Sequence, residues 1–330
     1  MSDNLNTENE LFIAIDGGTT NTRLVLARGD ELISRVKIPV GAGDTARTGS
    51  TELLTKGVSS ALEEVLARGG VTRAQIGGVF ASGMICSELG LHHVPHIPCP
   101  AGERELAAAC ETVSMPGVDG YSVTFLPGVK CGGGALAETD IMRGEEAEAV
   151  GLRALCGFSG AHVLLLPGTH NKIVFVDGDG RITRFFTAMS GELIRCVSEH
   201  TILSGALKGG YAESFDAPAL LKGYDLCEAI GLTAALFKLR VSSKFFESEP
   251  RLLYSMLLGV VLHEDIRLLF GADPVKEVLV AGSEPFKSAL AVLLEKRSPF
   301  VPCAVPEKLS SDAAVFGALR VGRLAKAQKA

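Results

Sequence analysis

The stretch Ile13-Ala14-Ile15-Asp16-Gly17-Gly18-Thr19-Thr20-Asn21-Thr22-Arg23 decides the reading of this chain. An apolar run ends in an acid. A glycine pair follows, then hydroxyl and amide side chains, an arginine and a second apolar run, Leu24 to Ala27. That order predicts strand, tight turn and strand: a β-hairpin with a polar tip. Gly17 and Gly18 let the backbone bend and let an anion approach the N–H groups. Thr19, Thr20 and Asn21 add donors, and Arg23 adds a fixed positive charge. Asp16 suits a cation or a metal-bound water beside that anion. A phosphate accompanied by Mg²⁺ fits this set best. No Gly-Lys-Ser/Thr follows, so the turn is not a P-loop. G-x-G-x-x-G is absent and the turn leads to a strand, so it is not a dinucleotide turn either.

At 330 residues the chain is long enough for two domains. With 47% apolar and 21% charged residues it reads as globular. A net charge of −6 gives no electrostatic reason to expect nucleic acid or an anionic membrane as partner. Small anions need only a local basic cluster. The eight cysteines form no C-x-x-C pair and mostly sit in apolar runs. They read as small buried hydrophobes of a reduced, cytoplasmic protein without disulfides or structural zinc. His92, His93 and His96 share a Pro-rich loop with no carboxylate or Cys at ligand spacing, which disfavours a metal there. Met1 to Glu10 is polar and acidic, unlike a signal or transit peptide. The apolar run around Met256 to Leu262 is too short to span a bilayer. Met1 to Glu10 and Ala325 to Ala330 read as loose ends.

Beyond the hairpin, Leu32 to Val40 reads as a third strand. Thr51 to Arg68 carries apolar residues at helical spacing and stops at Gly69-Gly70. Gly77 to Ala81 reads as a strand, Arg104 to Thr112 as a helix and Ser122 to Leu126 as a strand. Three strands, helix, strand, helix, strand is the order of a ribonuclease-H-like domain, a mixed sheet under a helical cover. The order then restarts. Val163 to Pro167 ends in Gly168-Thr169-His170, with strands Lys172 to Val176 and Ile182 to Phe186 after it. A mainly helical stretch, Glu192 to Leu269, precedes a strand at Glu277 to Ala281 and a last one at Phe300 to Val305. Ser310 or Ser311 is expected to cap a final helix running through Leu324. The expected domains are 11–140, 141–310 and a C-terminal helix, 311–330, packing back on the first.

A Gly-Thr turn in each half suggests a clamp for ATP, with Lys172 beside the second turn. Val278-Leu279-Val280-Ala281-Gly282-Ser283-Glu284 ends a strand in small residues before a helix, by itself a generic strand–turn–helix. Phosphoryl transfer to an alcohol also needs a carboxylate to take the hydroxyl proton. The best stretch is Ile141-Met142-Arg143-Gly144-Glu145-Glu146-Ala147-Glu148. Acids favour a helix start in any case. Arg143 beside them suits a bidentate grip on a substrate carboxylate.

The first hairpin resembles the first phosphate motif of the sugar kinase, Hsp70 and actin superfamily, and Val278 to Glu284 is similar to its adenosine motif, which implies that Gly282 and Ser283 let adenine or ribose approach the backbone. The resemblance implies an α/β fold of two ribonuclease-H-like (actin-like ATPase) domains around an interdomain cleft. In the related glycerol and xylulose kinases a Gly-Asp-Gln segment supplies the base. Gly144-Glu145-Glu146 lines up with it, which favours Glu145, with Glu146 second.

Asp-Gly-Gly-Thr-Thr-Asn-Thr-Arg, Ser82-Gly83-Met84, Leu-Pro-Gly-Val at 126–129, Met-Arg-Gly-Glu-Glu, Pro-Gly-Thr-His-Asn-Lys and Met-Ser-Gly-Glu-Leu at 189–193 resemble the 2-dehydro-3-deoxygalactonokinases, over about residues 11 to 322. The family implies ATP-dependent phosphorylation of the terminal 6-hydroxyl of 2-dehydro-3-deoxy-D-galactonate, in galactonate breakdown. It places Asp16 at Mg²⁺, and Gly18, Thr19, Thr20 and Asn21 on the β- and γ-phosphates. Gly168 and Thr169 grip the phosphates from the second domain. Arg23, Ser82, Gly83, Met84 and Arg143 fall to the sugar acid, and His170 to a phosphate, the substrate or a structural role. Glu192 either faces the site or begins a helix. Two departures stand out: Gly17 where relatives carry Trp, and Asn171 where a Cys is familiar. Gly17 removes an apolar wall near the sugar. The alternatives are a kinase of another sugar acid or a polyol, a nucleotide-switched binding protein, and a phosphatase on the same fold. The oligomeric state, a homodimer included, is not legible.

Overall fold

The computed structural model describes residues 10–118, 120–208, 214–270 and 275–329. The chain divides into two compact units. One takes in residues up to 159, Asp179–Thr183 and the chain from 311 on; the other takes in Gly160–Gly178 and Arg184–Ser310.

The first unit opens with β1 (Leu11–Gly17), β2 (Thr22–Arg28) and β3 (Glu31–Ile38), paired antiparallel in sequence. Two helices follow, α1 (Ala42–Thr48) and α2 (Glu52–Gly69). Helix α2 buries Leu54, Val58, Leu62 and Val65 with Ile13, Ile15, Leu24 and Leu26 of the sheet in one core. Gly70 ends it in the left-handed region, φ 64°, which glycine adopts without a Cβ penalty. Strand β4 (Ile76–Gly83) runs parallel to β1. After it come β5 (Ile97–Pro98), α3 (Glu103–Ala108), β6 (Glu111–Met115) and β7 (Tyr121–Phe125). Then β8 (Val129–Cys131) and β9 (Asp140–Met142) join β5 in a small sheet, and α4 (Glu145–Leu155) follows. The main sheet has the order β3-β2-β1-β4-β7-β6.

The sequence reading of Arg104 to Thr112 as helix is corrected here. The helix stops at Ala108, and residues from Glu111 form an edge strand antiparallel to β7. Strand β6 is mostly exposed, so it lacks the apolar alternation by which a strand announces itself. The division between units falls at residue 159 rather than at 140. Helix α4 stays with the first unit because it meets the final helix almost backbone to backbone: a Cβ on Gly151 would lie 1.9 Å from the Ala313 carbonyl oxygen.

The second unit repeats the pattern. Strands β10 (His162–Leu166), β11 (Asn171–Val176) and β12 (Ile182–Ala188) are followed by α5 (Ser190–His200) and α6 (Ser204–Leu207). Next come α7 (Ala217–Ile230), α8 (Leu232–Phe245) and α9 (Pro250–Arg267). Strand β13 (Glu277–Val280), α10 (Phe286–Arg297) and β14 (Val301–Ala304) complete it. The sheet order is β12-β11-β10-β13-β14, with β13 parallel to β10 and β14 parallel to β13. Helices α7 and α9 pack through glycines, since a Cβ on Gly259 would stand 1.9 Å from the Leu220 oxygen.

The last helix, α11 (Glu307–Lys329), begins a turn earlier than the serine caps imply and continues through Ala325, which the sequence reading left loose. Ser310 is no cap: its hydroxyl accepts the Gly282 N–H at 3.1 Å. The expected loose residues before Glu10 lie outside the described residues. In both units the first strand pairs antiparallel with the second and parallel with the fourth, the ribonuclease-H-like order expected from the sequence.

Candidate active site

In the first unit the site grows from the end of β1. Asp16 sits opposite Arg23 on β2 and beside Ser82 on β4. The Arg23 Nε donates to Asp16 Oδ2 at 3.0 Å, with Nη2 on the same oxygen, and Nη1 reaches the Ser311 carbonyl at 3.1 Å. The ion pair fixes the Asp16 carboxylate, and Arg23 is occupied by it. The hairpin is tight, with Gly18 N–H on the Asn21 carbonyl at 2.8 Å, and leaves Thr19 and Thr20 exposed at its tip. The start of α1 packs under that tip: Ala42 and Gly43 donate to the Gly18 and Thr19 carbonyls at 3.1 and 2.8 Å.

Gly83 lies in the left-handed region, φ 83°, where a Cβ would meet the Gly17 oxygen at 2.5 Å and come within 3.5 Å of Asp16 Oδ1. Gly144, φ 112°, stacks on it, with a Cβ position 3.2 Å from the Gly83 Cα. These two glycines bring the start of α4 against the β1–β2 hairpin. Asp16, Ser82, Gly83 and the turn before Glu145 are therefore one cluster. Ser82 is buried, and its hydroxyl has no hydrogen-bond partner among the described residues. Met84 is half-buried beyond it.

The two candidate bases differ. Glu146 is buried, and both its carboxylate oxygens accept the Gly144 N–H, at 2.9 and 2.8 Å. Burial, with Glu145 adding to it, pushes its carboxyl up to about 8. Glu145 is half-exposed, and its Oε2 accepts the Arg143 N–H at 3.1 Å. Arg143 turns to the loop after β4, with Nη2 on the Val94 carbonyl at 2.7 Å and 3.3 Å from His96 Nδ1. Its Nη1 is buried without a hydrogen-bond partner among the described residues. Burial, then the Arg143 charge, lower His96 to about 4, so its ring is neutral. The sequence reading missed Glu148. Burial, then Glu145 and Asp16, raise it to about 8, which puts a third carboxyl in this cluster. Its spacing from Glu145, one helical turn, was the available signal.

In the second unit the site grows from the end of β10. A cavity of about 200 Å³ is lined by the Pro167–Thr169 turn, by Gly191, Glu192 and Arg195 of α5, and by Ser283 and Phe286. Gly282, φ 87°, has no room for a Cβ, which would fall 2.8 Å from the Pro167 ring. The Gly282-Ser283 turn and the Gly168-Thr169 turn are thus neighbours. The Gly168 N–H donates to Asn171 Oδ1 at 2.9 Å, so what Gly168 offers an anion is its missing side chain. Exposed Thr169 lines the cavity, and its carbonyl accepts the Glu192 N–H at 2.9 Å. Lys172 points elsewhere: it is buried and its ammonium donates to Thr187 at 2.7 Å. His170 pairs with Glu192 at 2.8 Å, both exposed. Glu192 and Arg195 line the cavity; the sequence weighed Glu192 and overlooked Arg195, which carries no motif. Asp265, also overlooked, is buried and accepts from Asn171 Nδ2 at 2.9 Å and the Ser190 hydroxyl at 2.7 Å. Burial raises its carboxyl to about 6 against those two hydrogen bonds.

Among the described residues Cys227, His263 and Glu264 form a group of metal-capable atoms within 4.8 Å of one another. These side chains already satisfy each other, with His263 between Glu228 and Glu264 and Arg267 on Glu264. No helix among the described residues is long and apolar enough to cross a membrane.

DgoK1 of Rhizobium meliloti (strain 1021), assigned as a 2-dehydro-3-deoxygalactonokinase, is 30% identical over 202 residues, and the 2-dehydro-3-deoxygalactonokinase of Escherichia coli (strain K12) is 29% identical over 199. Each alignment takes in 59% of this chain and 59% of the relative, so the chain spans about three fifths of the length of the curated relatives it matches. A crystal structure from Sinorhizobium meliloti, assigned to the same kinase, superposes with a TM-score of 0.77 at 25% identity, covering 96% of this chain and 99% of that one. The activator of 2-hydroxyisocaproyl-CoA dehydratase from Clostridium difficile, TM-score 0.51 at 13% identity, covers 97% of each chain and shares the fold. The family model described as 2-keto-3-deoxy-galactonokinase matches residues 16–313, and the chain belongs to that family.

Proposed function

We propose that this chain is an ATP-dependent sugar-acid kinase. It transfers the γ-phosphoryl group to the terminal 6-hydroxyl of 2-dehydro-3-deoxy-D-galactonate, giving ADP and 2-dehydro-3-deoxy-6-phospho-D-galactonate, in galactonate catabolism in the cytoplasm. The observation that carries the reading is the family match across residues 16–313, which takes in both Gly-Thr turns and the Met-Arg-Gly-Glu-Glu segment.

The residues present fit the nucleotide. The Gly168-Thr169 turn and Ser283 line one cavity, and Gly282 lies where any side chain would close the gap to Pro167. For the β- and γ-phosphates the exposed Thr19 and Thr20 offer hydroxyl donors and Asn21 its amide, while Gly18, whose N–H is held by the Asn21 carbonyl, offers room for close approach. Lys172, tied to Thr187, acts through the shape of β11 rather than as a phosphate ligand. Asp16, with its carboxylate fixed by Arg23, would hold Mg²⁺ or its water, and the metal would neutralise charge on the phosphates.

The sugar acid falls to the first unit. Arg143, neutral His96 and the buried Ser82 hydroxyl offer donors for a carboxylate and hydroxyls. Glu145 takes the proton of the attacking hydroxyl, while Glu146 holds the Gly144 turn. Positioning and charge stabilisation supply most of the rate in such transfers, and the base a smaller share.

Measuring ADP release with ATP, Mg²⁺ and a panel of sugar acids tests this. Turnover with 2-dehydro-3-deoxy-D-galactonate well above that with its gluconate epimer and with polyols is the expected result. Equal or better turnover of another acceptor moves the assignment to that substrate. Hydrolysis of ATP without any acceptor dependence overturns the kinase.

A further inference from the structure

Behind the second Gly-Thr turn runs a buried chain of hydrogen bonds. The Gly168 N–H donates to Asn171 Oδ1 at 2.9 Å, Asn171 Nδ2 donates to Asp265 Oδ2 at 2.9 Å, and the Ser190 hydroxyl donates to Asp265 Oδ1 at 2.7 Å. Asn171 and Asp265 are 0% exposed and Ser190 3%. Both arms of this bridge hold backbone that lines the cavity. Asn171 closes the turn. Ser190 opens α5, whose Glu192 N–H sits on the Thr169 carbonyl at 2.9 Å, and at whose Gly191 a Cβ would stand 2.1 Å from the Gly168 oxygen.

Burying a carboxylate is costly, so a purely structural tie between α9 and the turn could be made at lower free-energy cost by apolar contact. What only a carboxylate brings is polarity without ambiguity. It accepts and never donates while ionised, so both of its partners must be donors. Asn171 must therefore turn its NH₂ to Asp265, which leaves Oδ1, an acceptor, facing Gly168. One charge on α9 sets the amide orientation on β11, the course of the turn and the start of α5 together.

We infer that Asp265 is a positioning residue for nucleotide phosphate, acting through Asn171 and Ser190 on the Gly168-Thr169 turn. The inference rests on the reading of that turn as an ATP site and names what holds it in shape.

The test uses the polarity of the chain. In Asp265→Leu neither Asn171 nor Ser190 keeps its acceptor, and nothing fixes which end of the Asn171 amide faces the Gly168 N–H. In Asn171→Asp, two carboxylates face each other. The double swap, Asn171→Asp with Asp265→Asn, satisfies every group again. The carboxylate now on β11 accepts from Gly168 and from the amide now on α9, and that amide's oxygen accepts from Ser190.

MgATP affinity is read by calorimetry on the full chain, beside melting temperature and the KM for the sugar acid. The expected result is about tenfold weaker MgATP binding in Asp265→Leu and in Asn171→Asp, the loss of roughly one hydrogen bond, an unchanged sugar-acid KM, and recovery in the swap. Wild-type affinity in Asp265→Leu overturns the inference. So does a swap that regains its melting temperature but not its MgATP affinity. Should Asp265→Leu fail to fold, Ser190→Ala decides: a smaller loss of MgATP affinity supports the inference, and unchanged affinity overturns it. A wild-type chain that binds no MgATP instead sinks the ATP-site reading itself.

Discussion

Two adjacent glutamates of one helix start are placed in different chemical situations. Glu146 is buried against the Gly144 N–H, and Glu145 is half-exposed beside the Arg143 backbone. A base must reach its proton, so exposure favours Glu145. Glu145→Gln is expected to lower kcat about a hundredfold or more, with MgATP affinity retained. Glu146→Gln is expected to cost less in kcat and to change the pH dependence of stability. The Glu146 carboxyl is raised from its ordinary 4.5 to about 8 in the folded chain. The folded state then holds a proton that the unfolded state has released, so the wild type loses stability as pH climbs from about 4.5 to about 8. Gln does not titrate. The melting temperature of Glu146→Gln minus that of wild type should therefore grow across this window, and a constant difference would show that Glu146 ionises normally. At Gly17 the departure from Trp has a visible counterpart: a Cβ there would lie 2.5 Å from the Ile85 Cβ, so Ile85 already occupies the space.

At the scale of elements, glycines set the distances. Helix α4 carries Glu145, and α11 lies against it so closely that a Cβ on Gly317 would stand 1.7 Å from the Ala147 oxygen, a backbone atom that cannot swing aside. Gly317→Ala therefore has to part the two helices. Overpacking of this kind costs roughly 1–3 kcal/mol, against the small gain in helix propensity that alanine brings. Denaturant unfolding should show the loss, and kcat should fall as well because α4 shifts. A variant as stable and active as wild type would mean that the helices are looser than the structure has them. The same scale shows where the sequence was silent. Strand β6 was hidden because an exposed edge strand has no buried face to impose alternation. The start of α11 was misplaced because Ser310, a plausible cap by residue type, is used by Gly282 instead. A serine hydroxyl does not say which backbone it serves.

For the whole molecule, the two sheets share one strand order, and that order was legible from runs of apolar residues punctuated by Gly-Thr turns. The turns were legible because glycine and threonine act locally. Asp265 and Arg195 were not, since each acquires its place only when a distant helix packs against the turn. Ligand linkage extends this to a test of the assembled chain. Anything that binds the native state alone stabilises it by about 2.7 kcal/mol at a concentration a hundredfold above its Kd. ATP with Mg²⁺ should thus raise the melting temperature by several degrees without any sugar acid present. If Asp16 serves the metal, EDTA should remove most of that gain while leaving the nucleotide-free melting temperature where it was. Asp16→Asn should show the smaller, EDTA-insensitive rise without chelator, because its amide still pairs with Arg23 but no longer attracts a cation. A rise that EDTA leaves intact in the wild type would take Mg²⁺ out of the nucleotide complex.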